Sequence, residues 1–163
     1  RGLAMLTSLS RAQRRMAVIE VSKDGNNTVA EAFRDNVNLD NVGLPGSLMN
    51  AGQRARLLDL VGIYVANLRE GHAEVRMSEV EAHVDDTYFT WIGGSAADSV
   101  YYYRIFSPVI LIEFDHQKPV NLKHEDSSAP SRNHIHTIVR TPNGNDYGKD
   151  LLRQHYATQP HGD

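Results

Sequence analysis

The pattern of apolar residues changes from helical to strand-like near residue 87, and this change limits the folds open to the chain. Before it, Ala51 to Leu68 carries an apolar stripe with the three- and four-residue spacing of an α-helix. After it, Tyr88 to Ile92, Ser99 to Ile105 and Val109 to Asp115 are rich in the aromatic and β-branched residues typical of strands. Helices followed by strands predict an α+β fold with N-terminal helices packed on an antiparallel β-sheet.

Weaker signals complete the predicted elements. A helix is expected within Leu3 to Val21, with Ser10 capping a turn that begins at Arg11. A further helix is expected over Ala73 to His83 and a strand over His134 to Arg140. Asp146 to Tyr156 is predicted to form a short C-terminal helix. At 163 residues the chain is expected to be one domain, mainly helical over 1–86 and mainly β over 87–156, with the terminal helix.

Composition excludes several classes of protein. The chain has no cysteine, so it can form neither disulfides nor thiolate metal sites, and any metal must be bound by His, Asp, Glu or backbone oxygen. A net charge of -3, with both signs interspersed, argues against a nucleic-acid partner. No apolar run approaches the roughly 20 residues of a membrane span. The sequence Asn26-Asn27-Thr28 fits a glycosylation acceptor, which favours a secreted protein.

The histidines His134 and His136 are the leading candidates for a functional site. One residue separates them, and in a strand that spacing places both imidazoles on the same face. Two ring nitrogens can then converge on one cation, as in Zn, Cu and Fe sites. The alternative is a strand face with two solvated or hydrogen-bonded histidines. The expected cofactor is therefore a divalent transition metal whose identity the sequence does not specify.

Charged residues near the histidine pair supply further candidates. Glu113 lies in an apolar strand, where a carboxylate is costly unless it is paired or bound to a metal. Arg104 and Arg140 are candidate ion-pair partners for Glu113, and candidates for holding an anionic substrate. Asp146 and His155 follow the histidine strand and are predicted as further metal ligands. Glu113, Arg104 and Arg140 are the predicted catalytic residues.

Several segments together resemble one known family over nearly the whole chain. The segments that carry the resemblance, in chain order, are Gly43-Leu44, Gln53-Arg54, Leu57-Leu58, Tyr64, Phe89-x-Trp91-x-Gly93, Tyr103-Arg104-Ile105, Ile112-Glu113-Phe114-Asp115, His134-Ile135-His136, Asn145-Asp146-Tyr147-Gly148-x-Asp150 and His155. They resemble the C-terminal half of domain of unknown function family 3500. The resemblance implies a protein of secreted or periplasmic type without a known activity.

The resemblance also implies a partner. Members of that family are about twice as long, with a Gly-His-His motif in an N-terminal half that has no counterpart in this chain. The start at Arg1-Gly2 fits a cleaved polypeptide, so a separate N-terminal chain of the same precursor is an expected partner.

Two functions stay open at this point. The first is a metal-dependent enzyme, a hydrolase or an oxidoreductase, that acts on a small molecule with His134 and His136 as ligands and Glu113, Asp146 or His155 as the third. The second is a non-catalytic extracellular module that binds a metal or a partner protein. A coordination position open to substrate would separate the enzyme from the module.

Overall fold

The computed structural model describes residues 1–30, 39–120 and 126–142. Four α-helices lie in this part of the chain: α1 (Gly2–Thr7), α2 (Arg11–Ala17), α3 (Ala51–Val65) and α4 (Glu70–Ala82). Short 3-10 helices cover Gly46–Leu48 and Val84–Asp86. The predicted cap at Ser10 is confirmed, because the Ser10 hydroxyl accepts from the Gln13 amide. Helix α4 begins three residues earlier than the sequence pattern predicted.

The strands form one six-stranded sheet in the order β1-β3-β4-β5-β6, with β2 also paired to β3. The strands are β1 (Val18–Glu20), β2 (Leu44–Pro45), β3 (Tyr88–Gly93), β4 (Tyr101–Phe106), β5 (Leu111–His116) and β6 (Ile135–Arg140). Strands β2 to β6 pair antiparallel, whereas β1 runs parallel to β3. The prediction of several helices with one sheet is confirmed. The predicted antiparallel pairing holds for β2 to β6 but not for β1, which is parallel to β3.

Strand β1 was missed for a physical reason. The sequence predicted helical structure within Leu3 to Val21, but the chain leaves helix α2 after Ala17 and pairs with β3 over Val18–Glu20. Three residues are too few to show a strand period, and pairing with a strand some 70 positions away cannot be read from local spacing. The predicted C-terminal helix over Asp146 to Tyr156 lies outside the described residues.

One face of the sheet, here the aromatic face, carries the main core. Its strand residues include Trp91 and Tyr103, which stack with a 6.1 Å centroid separation, and Phe114, which stacks on Tyr103 at 5.1 Å. Buried residues of α1, α3 and α4 join the same cluster. The hydroxyls of Tyr64 in α3 and Tyr103 lie 2.5 Å apart. The core of the described chain therefore unites helices and strands on this side.

The opposite face, here the polar face, carries charged residues. Alternation along each strand places Arg104 of β4, Glu113 and Asp115 of β5, and His136 of β6 on this side. Residues 22–30, which we call the strap, cross over β5 and bury both carboxylates completely. The candidate site therefore lies on the polar face, at its β6 edge.

Candidate functional site

The histidine pair converges on one point. The Nε2 atoms of His134 and His136 lie 3.0 Å apart, and the rings meet edge to face with a 79° angle between their planes. Two imidazoles that bind one tetrahedral zinc at about 2.0–2.1 Å place their nitrogens about 3.3 Å apart. The observed separation is therefore close to that of two ligands of one cation.

A backbone carbonyl orients His134. The Nδ1 atom of His134 lies 2.7 Å from the carbonyl oxygen of Lys118. Since a carbonyl only accepts, Nδ1 carries the proton and donates it, and the lone pair of His134 is on Nε2. A ring nitrogen that donates to a backbone carbonyl is the usual support of a histidine metal ligand. With this tautomer of His134, His136 Nε2–H donates to His134 Nε2. If the His136 proton is on Nδ1 instead, both Nε2 atoms present lone pairs to one point.

Glu113 is occupied by hydrogen bonds from the strap. Its carboxylate accepts from the backbone amides of Val29 at 2.8 Å and Ala30 at 3.0 Å. The hydroxyl of Tyr102 donates to the same carboxylate at 2.6 Å. Burial, and then the neighbouring Glu113 charge, raises the pKa of Tyr102 far above its ordinary value, so the phenol stays protonated as a donor. These contacts make Glu113 an anchor of the strap, and its predicted catalytic role stays a prediction.

Asp115 anchors the strap from the next position on the same face. Its Oδ2 accepts from the amide of Asn27 at 2.7 Å and from Gln117 Nε2 at 3.0 Å. Its Oδ1 lies 2.9 Å from Lys23 Nζ, and both side chains of this ion pair are buried, at 1% and 0% exposure. Lys23 also donates to the carbonyl of Gly25. The buried charge of Asp115 is thus balanced from within the strap.

Arg104 lies directly across from Glu113 in the sheet but forms no ion pair with it. The two residues are cross-strand partners, and Arg104 is only 8% exposed. Arg104 was one candidate ion-pair partner of Glu113, but the described contacts of the carboxylate are with backbone amides and Tyr102 instead. Within the described part of the chain, the buried Arg104 Nε has no hydrogen-bond partner. A catalytic role for Arg104 stays a prediction.

A cleft adjoins the histidine pair. It has a volume of about 480 Å³ and lies between the strap and strand β6. Asn26 and Thr28 of the strap form one side, and His136, Ile138 and Arg140 of β6 form the other. The predicted anion-binding residue Arg140 therefore lines the same space as His136.

Two predicted ligands, Asp146 and His155, lie outside the described residues. Among residues 1–30, 39–120 and 126–142, no group of three or more His, Asp or Glu side chains is arranged to hold a metal. The same ranges contain no helix long and apolar enough to cross a membrane.

Sequence reasoning missed Lys23 and the backbone amides of residues 27–30. The stretch from Lys23 to Ser47 has no hydrophobic period, which is typical of a loop. The signal available was the burial cost of Glu113 and Asp115 themselves, which demands donors from somewhere in the chain. Backbone amides leave no trace in a sequence, so the identity of those donors could not be read.

Comparison with known proteins supports the resemblance. A family model described as a protein of unknown function (DUF3500) matches residues 1–149. The chain belongs to that family. The family description names no activity, so it adds no functional residue to those above. No curated protein and no solved structure matches the chain.

Proposed function

We propose that this member of the family is a metal-dependent enzyme acting on a small molecule, with His134 and His136 as two of its metal ligands. The observation that carries the proposal is the 3.0 Å approach of the two Nε2 atoms. The Lys118 carbonyl supports it, because it fixes the tautomer in which His134 presents a lone pair.

The neighbouring cleft favours an enzyme over a closed storage site. His136 is exposed and lines the cleft, so a cation held by the pair would lie beside space for a substrate. A divalent metal supplies Lewis acidity and a water that is acidic near neutral pH. Hydrolysis is therefore the first reaction to test, with oxidation as the alternative for a redox-active metal.

The protein's own side chains would hold the metal and orient its ligands. His134, fixed by Lys118, would set the position of the site, and His136 would carry its proton on Nδ1 so that its Nε2 could bind the cation. Binding should weaken as the pH falls, because protons compete with the cation for the ring nitrogens. Asp146 and His155 remain the predicted additional ligands.

Zinc titration of the purified chain by calorimetry tests the proposal. One zinc per chain is expected, and His134→Gln and His136→Gln should each weaken binding at least about tenfold, because each removes a nitrogen ligand. His72→Gln is the matched control, since His72 is exposed on helix α4. Asp146→Asn and His155→Gln measure the predicted additional ligands.

Two results would overturn the proposal. One is the absence of stoichiometric zinc, copper or iron binding in the wild-type chain. The other is unchanged metal affinity in both His134→Gln and His136→Gln. Turnover of ester and amide panels by the metal-loaded protein, lost in the same two variants, would establish the enzyme class.

A further inference from the structure

A second groove lies beside β1, at the edge of the sheet away from the histidine pair. It has a volume of about 450 Å³, which is within the range of small-molecule sites. Strands β1 and β6 are at opposite ends of the strand order, four inter-strand steps or about 19 Å apart at about 4.8 Å a step. The groove is therefore separate from the proposed metal site.

Three arginines of helix α2 line this space, which we call the arginine groove. They are Arg11, Arg14 and Arg15, and their spacing of three and four residues places them on one face of the helix. No acidic side chain is among the described residues that line the groove. Like charges at this spacing repel one another, so the cluster destabilises the helix unless a counter-charge is present.

Only one of the three arginine side chains has a partner in the fold. Arg14 donates from Nε to the carbonyl of Leu9 at 3.0 Å and from Nη2 to the carbonyl of Thr7 at 2.6 Å. Within the described chain, the side chains of Arg11 and Arg15 form no hydrogen bond or ion pair. Arg11 is moreover the first residue of α2, where the positive end of the helix dipole disfavours a cation. The contacts of the fold therefore account for Arg14 but not for Arg11.

The side of the groove opposite in chemistry is apolar. It is formed by Leu6 of α1, Val18 of β1 and Val21. Val21 is 82% exposed, which is costly for an aliphatic side chain that nothing covers. A ligand for this groove therefore needs an apolar part beside its charged part.

The end of β3 completes the lining with Gly93, Gly94 and Ser95. The carbonyls of both glycines accept from Trp91 Nε1, at 3.1 and 3.3 Å, so each already has a donor within the core. The Ser95 hydroxyl can donate to an oxygen of a ligand. These residues carry no charge, so the charge of the groove is that of the three guanidiniums.

We propose that the arginine groove binds a small phosphate monoester that carries an apolar group. The phosphate would lie against Arg11 and Arg15, whose guanidiniums match its oxygens with paired hydrogen bonds, and the apolar group would cover Val18 and Val21. A phosphate monoester is favoured over a carboxylate because it carries nearly two negative charges, which balance more of the positive cluster. The proposal does not depend on the metal site.

Calorimetric titration with phenyl phosphate tests the proposal. It uses zinc-free protein with a chelator, so that the phosphate cannot bind to a cation at His134 and His136. Arg11→Gln and Arg15→Gln should each weaken binding about tenfold, as loss of hydrogen bonds between charged groups does. Arg56→Gln is the charge-matched control, because Arg56 is exposed on α3 and does not line the groove.

Two further ligands and the pH test the parts of the proposed molecule. Benzoate keeps the ring but has a single charge, and inorganic phosphate keeps the charge but lacks the apolar group, so both should bind more weakly than phenyl phosphate. Lowering the pH from about 7.5 to about 5.5 should weaken phenyl phosphate binding about fourfold, because a phosphate monoester takes up a proton near pH 6. No side chain of the described lining titrates in this window.

Thermal melting separates a ligand site from a structural role. Arg11→Gln should melt no lower than wild type, because it removes a cation from a helix N-terminus. A lower melting temperature with unchanged phenyl phosphate affinity would assign Arg11 to the fold and overturn the proposal.

Three other results would also overturn it. They are the absence of phenyl phosphate binding, benzoate binding that is as tight, and wild-type affinity in both Arg11→Gln and Arg15→Gln. Binding to phosphatidic acid vesicles without binding of phenyl phosphate falls under the first and would assign the groove to a membrane surface instead.

Discussion

The two faces of the sheet are both buried, but by different means. On the aromatic face, Trp91 and Tyr103 are covered by apolar residues that require only shape and volume. On the polar face, Glu113 and Asp115 are covered by donors that must lie at specific positions. The first arrangement gives the domain its core. The second fixes one segment of chain, residues 22–30, in the single position that forms the cleft.

The largest loss of stability is expected from breaking the buried ion pair between Lys23 and Asp115. Asp115→Ala would leave Lys23 buried without its counter-charge and would leave the backbone amide of Asn27 without its hydrogen-bond acceptor. Loss of one partner of a buried pair costs about 3–5 kcal/mol in the free energy of unfolding. Urea denaturation measures it, with the exposed Asp126→Ala as a control that should not change stability. A small loss in Asp115→Ala would mean that the strap is not held by charge.

Glu113→Gln should have an intermediate effect. The variant keeps the size of the side chain but replaces one acceptor oxygen with a donor, facing the amide of Val29 or Ala30. Loss of hydrogen bonds to a charged group costs about 1.5–3 kcal/mol. The same denaturation assay reports it, and Glu79→Gln on α4 is the matched control. Faster hydrogen exchange at residues 27–30 in Glu113→Gln, with unchanged exchange in α3, would localise the damage to the strap.

A smaller effect is expected on the aromatic face. Tyr103→Phe removes the hydroxyl that lies 2.5 Å from that of Tyr64 and leaves the ring in its stack. A neutral hydrogen bond contributes about 0.5–1.5 kcal/mol. Tyr64→Phe alone and the double variant complete a thermodynamic cycle; additive losses would show that the two hydroxyls do not interact. If Tyr103→Phe lost more stability than Asp115→Ala, the aromatic face and not the polar face would depend more on its polar contacts.

The smallest expected effect on stability is the pH dependence that His116 contributes. His116 lies at the end of β5 on the aromatic face. Its Nδ1 accepts from the Tyr101 amide at 2.9 Å, and burial lowers its pKa. The folded protein therefore keeps His116 neutral at a pH where the unfolded chain, with a pKa of about 6.5, takes up a proton. This contribution to stability is present above about pH 6.5 and decreases as the pH falls below it.

Comparing urea unfolding of wild type and His116→Asn at about pH 7.5 and about pH 5.5 isolates that contribution, because most carboxylates titrate below this window and the other histidines are common to both proteins. His116→Asn should lose less stability over the window than wild type does. Equal losses in both proteins would assign the pH dependence to other groups.

Much of the fold could be predicted from sequence because local patterns encode it. The stripe of α3 and the aromatic, β-branched strands β3, β4 and β5 reflect periodic burial, which depends on the neighbours in the chain. Strand β1 and the strap could not be predicted in this way. Their partners, Trp91 for Val18 and Asp115 for Lys23, lie far away in sequence and follow from tertiary packing alone.

The candidate site shows the same division. The convergence of His134 and His136 follows from the two-residue repeat of a strand, and the structure brings their Nε2 atoms together. The need of Glu113 for partners was foreseen from its apolar surroundings. The partners themselves were not foreseen, because backbone amides bind Glu113 where arginine was a candidate, and Lys23 pairs with the neighbouring Asp115.

The strap has a consequence for the order in which the molecule assembles. Its amide bonds to Asp115 and Glu113 join residues 83 to 88 positions apart, so they require closure of a loop that spans about half of the chain. Such contacts form slowly, after local helices and hairpins have reduced the distance. The hairpin of β4 and β5 must first present the two carboxylates. The cleft is therefore expected to be the last part of the described chain to form, and the first to open when the native state fluctuates.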